Sequence, residues 1–307
     1  MKKVLGLVIG LLMVTLAIFW LLNPQKSEND KLKVSVSTFA LYDLLYHIGG
    51  DKVDVHMVIP FGVEVHSFEP TPRNIIEIQK SKLFFYSGAS LEPWIKKLPQ
   101  SDNMFDMSQY VHLISIDEDE EEAHESEHHH HGHFDPHYWL DVSNMKALSK
   151  KVLELLKSKD QEHSAYYTTQ MKAYVNSLDD VASAYSERLK VCQVHEVILH
   201  HNILGYVART YGFQVASLTG LSPDALADAK TMAKLSKEIK EKKINVLFFE
   251  AFSSDRLMKN LAKENDITLE YLEPLANITA DQARQKMSYR DGMLANLEKL
   301  SKAMRCQ

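Results

Sequence analysis

The sequence predicts two similar α/β lobes with mostly parallel sheets, joined by one long helix. Strand and helix patterns alternate on both sides of residues 160–189. Within that stretch Tyr167, Met171, Tyr174, Leu178, Val181, Tyr185 and Leu189 are spaced for one apolar helix face. About thirty helical residues span roughly 45 Å, too long for a crossover inside one small domain. Continuous apolar runs such as Val246-Leu247-Phe248-Phe249 suit parallel strands covered on both faces. The expected division is residues 31–159 as an N-terminal lobe, 160–189 as a linker helix and 190–307 as a C-terminal lobe, preceded by residues 1–30.

Taken in order, residues 4–22 form an uncharged run after Lys2 and Lys3, followed by Asn23-Pro24 and a polar tract. This is an export signal, and its length favours an uncleaved anchor that leaves the rest of the chain outside the cytoplasmic membrane. No Cys follows it that a lipid could modify. Residues 33–38 alternate Val with Ser as a first strand, and a helix runs from Ala40 to the Gly49-Gly50 stop. Residues 53–59 form a second strand ending at Pro60, and the loop at 61–70 carries His66. Thr71-Pro72 caps a helix to about Ser81, strand 83–86 follows, and Pro93-Trp94 opens a short helix. Residues 111–116 read as a strand that delivers the chain into a segment of unusual composition.

That segment, residues 117–133, holds eight carboxylates, six histidines and no Lys or Arg. It cannot bury a core and reads as a solvated, metal-attracting loop. The net charge of −6 would be +2 without those carboxylates, so no nucleic-acid surface is indicated. The character then changes: in Phe134-Asp135-Pro136-His137-Tyr138-Trp139, aromatics and a proline bracket one histidine that looks held in place. Ser143 caps a helix to about Leu156, and the long helix follows. In the C-terminal half the expected strands are 194–200, 214–218, 244–249 and 268–272. The expected helices are 203–211, 222–242, 255–265 and one final helix from 279 to 304. Cys192 and Cys306, in an exported chain, are expected to pair and pin the C-terminus.

Ligands in parallel sheets collect past the carboxyl ends of strands, and two facing lobes leave a cleft there. His66, His137, His201 and Glu273 each lie just past a strand, two in each lobe. Three imidazoles and a carboxylate suit tetrahedral zinc, whereas a carboxylate-rich set would suit manganese. Glu64 and Glu250 are candidates for carboxylates that orient an imidazole. His195 and His200 read as packing or surface groups.

At these positions the chain resembles the metal-specific solute-binding proteins of ABC importers, and within them the zinc-binding branch. The resemblance covers residues 31–305 and rests on five segments in order: Pro60-Phe61-Gly62 through Pro72, Gly88 through Trp94, Asp135 through Asp141, His201-Asn202-Ile203-Leu204-Gly205-Tyr206, and Leu272-Glu273-Pro274-Leu275. It implies a rigid linker helix, Zn2+ held in the cleft by His66, His137 and His201, and delivery to a permease by a monomeric protein in the periplasm or its equivalent. Glu273 stands where the family usually has Asp, so either its carboxylate or a water completes the site. The alternatives are manganese or iron as cargo, a storage protein or adhesin that works through the histidine-rich segment, and a zinc hydrolase, for which the HExxH spacing occurs only at His124 to His128, inside the solvated acidic segment and not on an apolar helix pattern.

Overall fold

The computed structural model describes residues 31–116, 134–225, 228–251 and 256–307. The apolar run at 4–22 and the acidic segment at 117–133 lie outside the described residues. Among the described residues, no helix is long and apolar enough to cross a membrane.

The N-terminal lobe is built on β1 (Leu32–Val36), β2 (Val53–Met57), β3 (Leu83–Tyr86) and β4 (Met104–Asp106), all parallel, in the order β2-β1-β3-β4. The C-terminal lobe repeats this winding with β5 (Glu196–Leu199), β6 (Gln214–Ser217), β7 (Val246–Glu250) and β8 (Thr268–Leu272), in the order β6-β5-β7-β8. Around them pack α1 (Phe39–Gly49), α2 (Pro72–Lys80), α3 (Val142–Lys159), α4 (Ser164–Arg188), α5 (Gly205–Tyr211), α6 (Ala229–Glu241), α7 (Arg256–Asn265), α8 (Ala280–Arg284) and α9 (Tyr289–Ala303). Because every strand pair is parallel, the strand exits of each sheet share one edge, where cargo sites form.

Two expectations need correction. The fourth strand of the first sheet is Met104–Asp106, paired with β3, whereas residues 111–116 make only an isolated antiparallel bridge, Ser115 to Phe134. The ladder of β3 was available to the earlier and less apolar segment, and pairing overrides composition. The final helix is two helices. Lys286 adopts φ 57°, which breaks the first, and Ser288 begins the second with a reciprocal cap to Asp291.

The linker α4 has 25 residues and is therefore about 37 Å long. It begins after a 3₁₀ turn at Gln161–His163 and buries Tyr167, Tyr174, Leu178, Val181 and Tyr185. Its tyrosines bond to both lobes: Tyr174 Oη donates to Asp43 on α1, and Tyr185 Oη to the Met293 carbonyl on α9. Behind the cleft, one apolar cluster runs through both lobes, joining Val36 and Phe85 to Leu199, Phe248 and Leu275. Smaller clusters around Trp94 and Leu247 cover the outer sheet faces.

Buried Glu92 ties together the exits of β1 and β3. It accepts from Ser37 Oγ, from Ser87 N at 2.8 Å and from Gly88 N at 2.9 Å. Gly88 has φ +75°, and a Cβ there would lie 1.8 Å from Asp106 Oδ1, so both backbone and space require glycine. Burial, only partly offset by the three donors, pushes the Glu92 pKa up to about 7. Stability held by the neutral carboxyl is full below the unfolded value of 4.5 and is lost as pH rises through about 7, on the order of 3 kcal/mol in all. Metal-free protein is therefore expected to weaken between about pH 5 and pH 8, and Glu92→Gln to flatten that slope. Urea unfolding across this range checks it; equal slopes for both proteins would count against the assignment.

Candidate metal centre

His66 lies in the loop after β2, whose turn is eased by Gly62 at φ +91°. His137 follows Asp135-Pro136 and leads into a 3₁₀ turn at Tyr138–Leu140; Asp141 then caps α3 by accepting from Ser143 N at 2.7 Å. The fixed φ of proline and the cap on the next helix hold this segment from both sides. His201 lies two residues past the end of β5, after His200.

These three histidines meet between the lobes. Their ring centroids are 5.6 Å apart for His66 and His137, 5.7 Å for His66 and His201, and 5.4 Å for His137 and His201. One ring nitrogen from each lies within 4.8 Å of the others. Tetrahedral zinc with nitrogen ligands needs about 3.3 Å between donors, so side-chain shifts of roughly an ångström or so would close the shell. They border a small cavity whose wall includes Glu64, Glu250 and Pro274. His66 is half-buried, whereas His137 and His201 are 1% and 4% exposed.

A carboxylate stands behind each of the two buried rings. Asp135 Oδ1 accepts from His137 N at 2.9 Å and is 2.8 Å from His137 Nδ1. Glu250 Oε2 is 3.1 Å from His201 Nδ1. A carboxylate only accepts, so in each ring the proton sits on Nδ1 and the Nε2 lone pair is the one offered to a cation. Burial opposes protonation of His201, but the Glu250 charge outweighs it and moves the pKa above its ordinary value. Of the two orienting carboxylates considered from sequence, Glu250 takes that place, whereas Glu64 Oε1 accepts from the His66 backbone N at 3.1 Å. Asp135 is a third orienting carboxylate beyond those two, and its position two before His137 is the signal the sequence carries for it. His200 is buried beside Glu250, its Nδ1 3.8 Å from Oε2.

Glu273 is not brought into the histidine group, and it does not line the cavity. Its carboxylate accepts from Tyr271 Oη at 2.8 Å and from Gln282 Nε2 at 2.7 Å. The Asn296 side chain holds its backbone N and carbonyl, each at 2.8 Å. Position past a strand does not determine where a side chain points when other partners compete for it.

Residues 34–303 match the family model for ZnuA, the periplasmic component A of a zinc-uptake complex. The chain is 33% identical over 284 residues to the high-affinity zinc uptake system protein ZnuA of Bacillus subtilis, covering 91% of this chain and 89% of that protein. It is 28% identical to the zinc-binding lipoprotein AdcA of Streptococcus pneumoniae, of which it spans 60%. The crystal structure of Zn(II)-bound AdcA from that organism superposes with a TM-score of 0.75 at 25% identity, covering 89% of this chain and 58% of the other. The metal-dependent lipoprotein YcdH of Bacillus subtilis gives 0.74 at 29% identity, with 89% and 99% covered. A family model spanning most of the chain, together with a relative matched over nearly its whole length, shows that this chain belongs to the ZnuA family of zinc-uptake components.

Proposed function

We propose that the protein is the extracytoplasmic zinc-binding component of an ABC importer, capturing Zn2+ and passing it to the permease in the cytoplasmic membrane. The observation that carries this reading is the meeting of three imidazoles from two lobes, two of them buried against carboxylates. His66, His137 and His201 are the ligands. The fourth position is open to a solvent molecule, or to Glu273 once its carboxylate gives up Tyr271 and Gln282. Three nitrogen donors favour zinc over manganese. The protein acts as a carrier rather than a catalyst, as a monomer, and residues 4–22 anchor it to the membrane. The segment at 117–133 gathers metal weakly, through many exchangeable donors, for the ordered site.

Zinc and manganese titrations of the chain with and without residues 117–133 test this. One tight zinc site is expected in both proteins, with manganese much weaker. If tight zinc binding disappeared with the segment, the segment would be the metal site and the protein a storage protein or adhesin.

A further inference from the structure

The ligands come from different lobes, His66 and His137 from the first and His201 from the second, so the site exists only while the lobes keep their register. A bound cation would impose that register. Without one, something in the chain must hold it, and two side chains of the C-terminal lobe are placed to do so.

Tyr206, on the first turn of α5 and five residues after His201, is 2% exposed. Its hydroxyl donates to the Asp135 carbonyl at 2.7 Å and accepts from Ile114 N at 3.1 Å. Asp135 N in turn donates to the Ile114 carbonyl at 2.9 Å, so one hydroxyl closes a small network on two loop segments of the other lobe. The residue it grips is the one whose carboxylate orients His137. Gly205 permits the approach, because a Cβ there would lie 2.6 Å from Asp135 Oδ2.

Asn277, past the exit of β8, does the same for the His66 loop. It is 1% exposed, and its amide nitrogen donates to both the Pro60 and Val63 carbonyls at 2.8 Å. Its own oxygen accepts from Ile278 N at 2.9 Å, and Gly62 N donates to the Ile278 carbonyl at 2.9 Å. Every polar atom of the Asn277 side chain is thus engaged, and both donors cross to the other lobe. A buried amide with all its bonds made specifies one arrangement, since any shift leaves carbonyls unpaired.

We infer that Tyr206 and Asn277 are positioning residues that clamp the His137 and His66 segments to the C-terminal lobe, so that the site is assembled before the ion arrives. Neither belongs to the histidine group: Tyr206 is outside the cavity lining, and Asn277, which lines it, has both side-chain polar atoms engaged by backbone groups. The inference rests on the three-histidine reading of the site and adds how the histidines are held together. Loss of a clamp lowers the fraction of molecules in which all three rings face one point, and apparent affinity falls by that fraction. Capture from dilute solution gains because no lobe closure has to be driven by the cation itself.

The test uses the full chain with Tyr206→Phe and Asn277→Ala, beside His137→Ala, measuring zinc affinity against a competing chelator and the melting temperature of the metal-free protein. Tyr206→Phe removes one oxygen and is the variant that keeps its packing. The expected result for each clamp variant is zinc binding weakened about tenfold or more, the scale of losing a group that orients a ligand. The metal-free melting temperature should stay within a few degrees of the parent. Zinc affinity within twofold of the parent for Tyr206→Phe would overturn the inference. So would weakened binding accompanied by partial unfolding at the assay temperature, because the tyrosine would then be only structural. If His137→Ala also left affinity unchanged, the fault would lie with the three-histidine site; if His137→Ala abolished tight binding while the clamp variants retained it, only the clamps would fall.

Discussion

Replacing His137 with alanine is expected to weaken zinc binding by about a hundredfold or more. Structural zinc sites with four ligands are worth roughly 10 to 16 kcal/mol, so one ligand carries on the order of 3 kcal/mol, or about two decades in affinity. His137 is the most sensitive choice of the three. It is almost fully buried, its ring is fixed by Asp135, and it faces both other histidines. Asp135→Asn should have a smaller effect, about tenfold or somewhat more, because it leaves the ring in place but weakens the charge behind it. Competition titrations on folded protein, with circular dichroism as the folding control, measure both. An alanine variant within threefold of the parent would rule out His137 as a ligand.

Breaking the disulfide should have the largest effect on stability and little on zinc. Cys192 and Cys306 are joined with an S–S distance of 2.01 Å across 114 residues of chain. Closing so long a loop removes denatured-state entropy worth about 4 to 5 kcal/mol on the chain-entropy model. The bond fastens the end of α9 beside the turn that follows α4, where Gln193 N and Val194 N both donate to the Met304 carbonyl and Gln307 N to Val191. The cysteines lie outside the cleft, so a Cys192→Ala/Cys306→Ala double variant should bind zinc within a few-fold of the parent. Urea unfolding of the metal-free protein, oxidised against reduced, gives the number. A loss below about 1 kcal/mol would mean that the neighbouring backbone bonds hold the terminus without the crosslink, or that the denatured chain is already compact.

Both lobes, the parallel strands and the long tyrosine-lined helix were legible in the sequence. Each rests on a local pattern: a continuous apolar run for β7, three-and-four spacing for α4, Thr71-Pro72 for the start of α2. The misplaced fourth strand shows where such patterns stop. Met104-Phe105-Asp106 carries little strand signal, and only the free edge of β3 makes it a strand. The break in the final helix has half a local signal: no usual helix stop lies near Lys286, but Ser288 three before Asp291 is a helix-start pattern.

The same divide runs through the site. Sequence alone determined the chemistry on offer: three histidines in loop segments whose prolines, glycines and aromatics hold them, and hence a nitrogen-rich set suited to zinc, although the strand expected ahead of His137 is only an isolated bridge. Only the tertiary structure decided which groups meet. It placed Asp135 and Glu250 behind two rings, turned the Glu273 carboxylate to Tyr271 and Gln282, and set Tyr206 and Asn277 across the lobe boundary. The physical reason is that ligand type is a property of one residue, whereas the direction of a side chain is settled by competition among partners far apart in the chain. For Asn277 and Pro60 that separation is 217 residues.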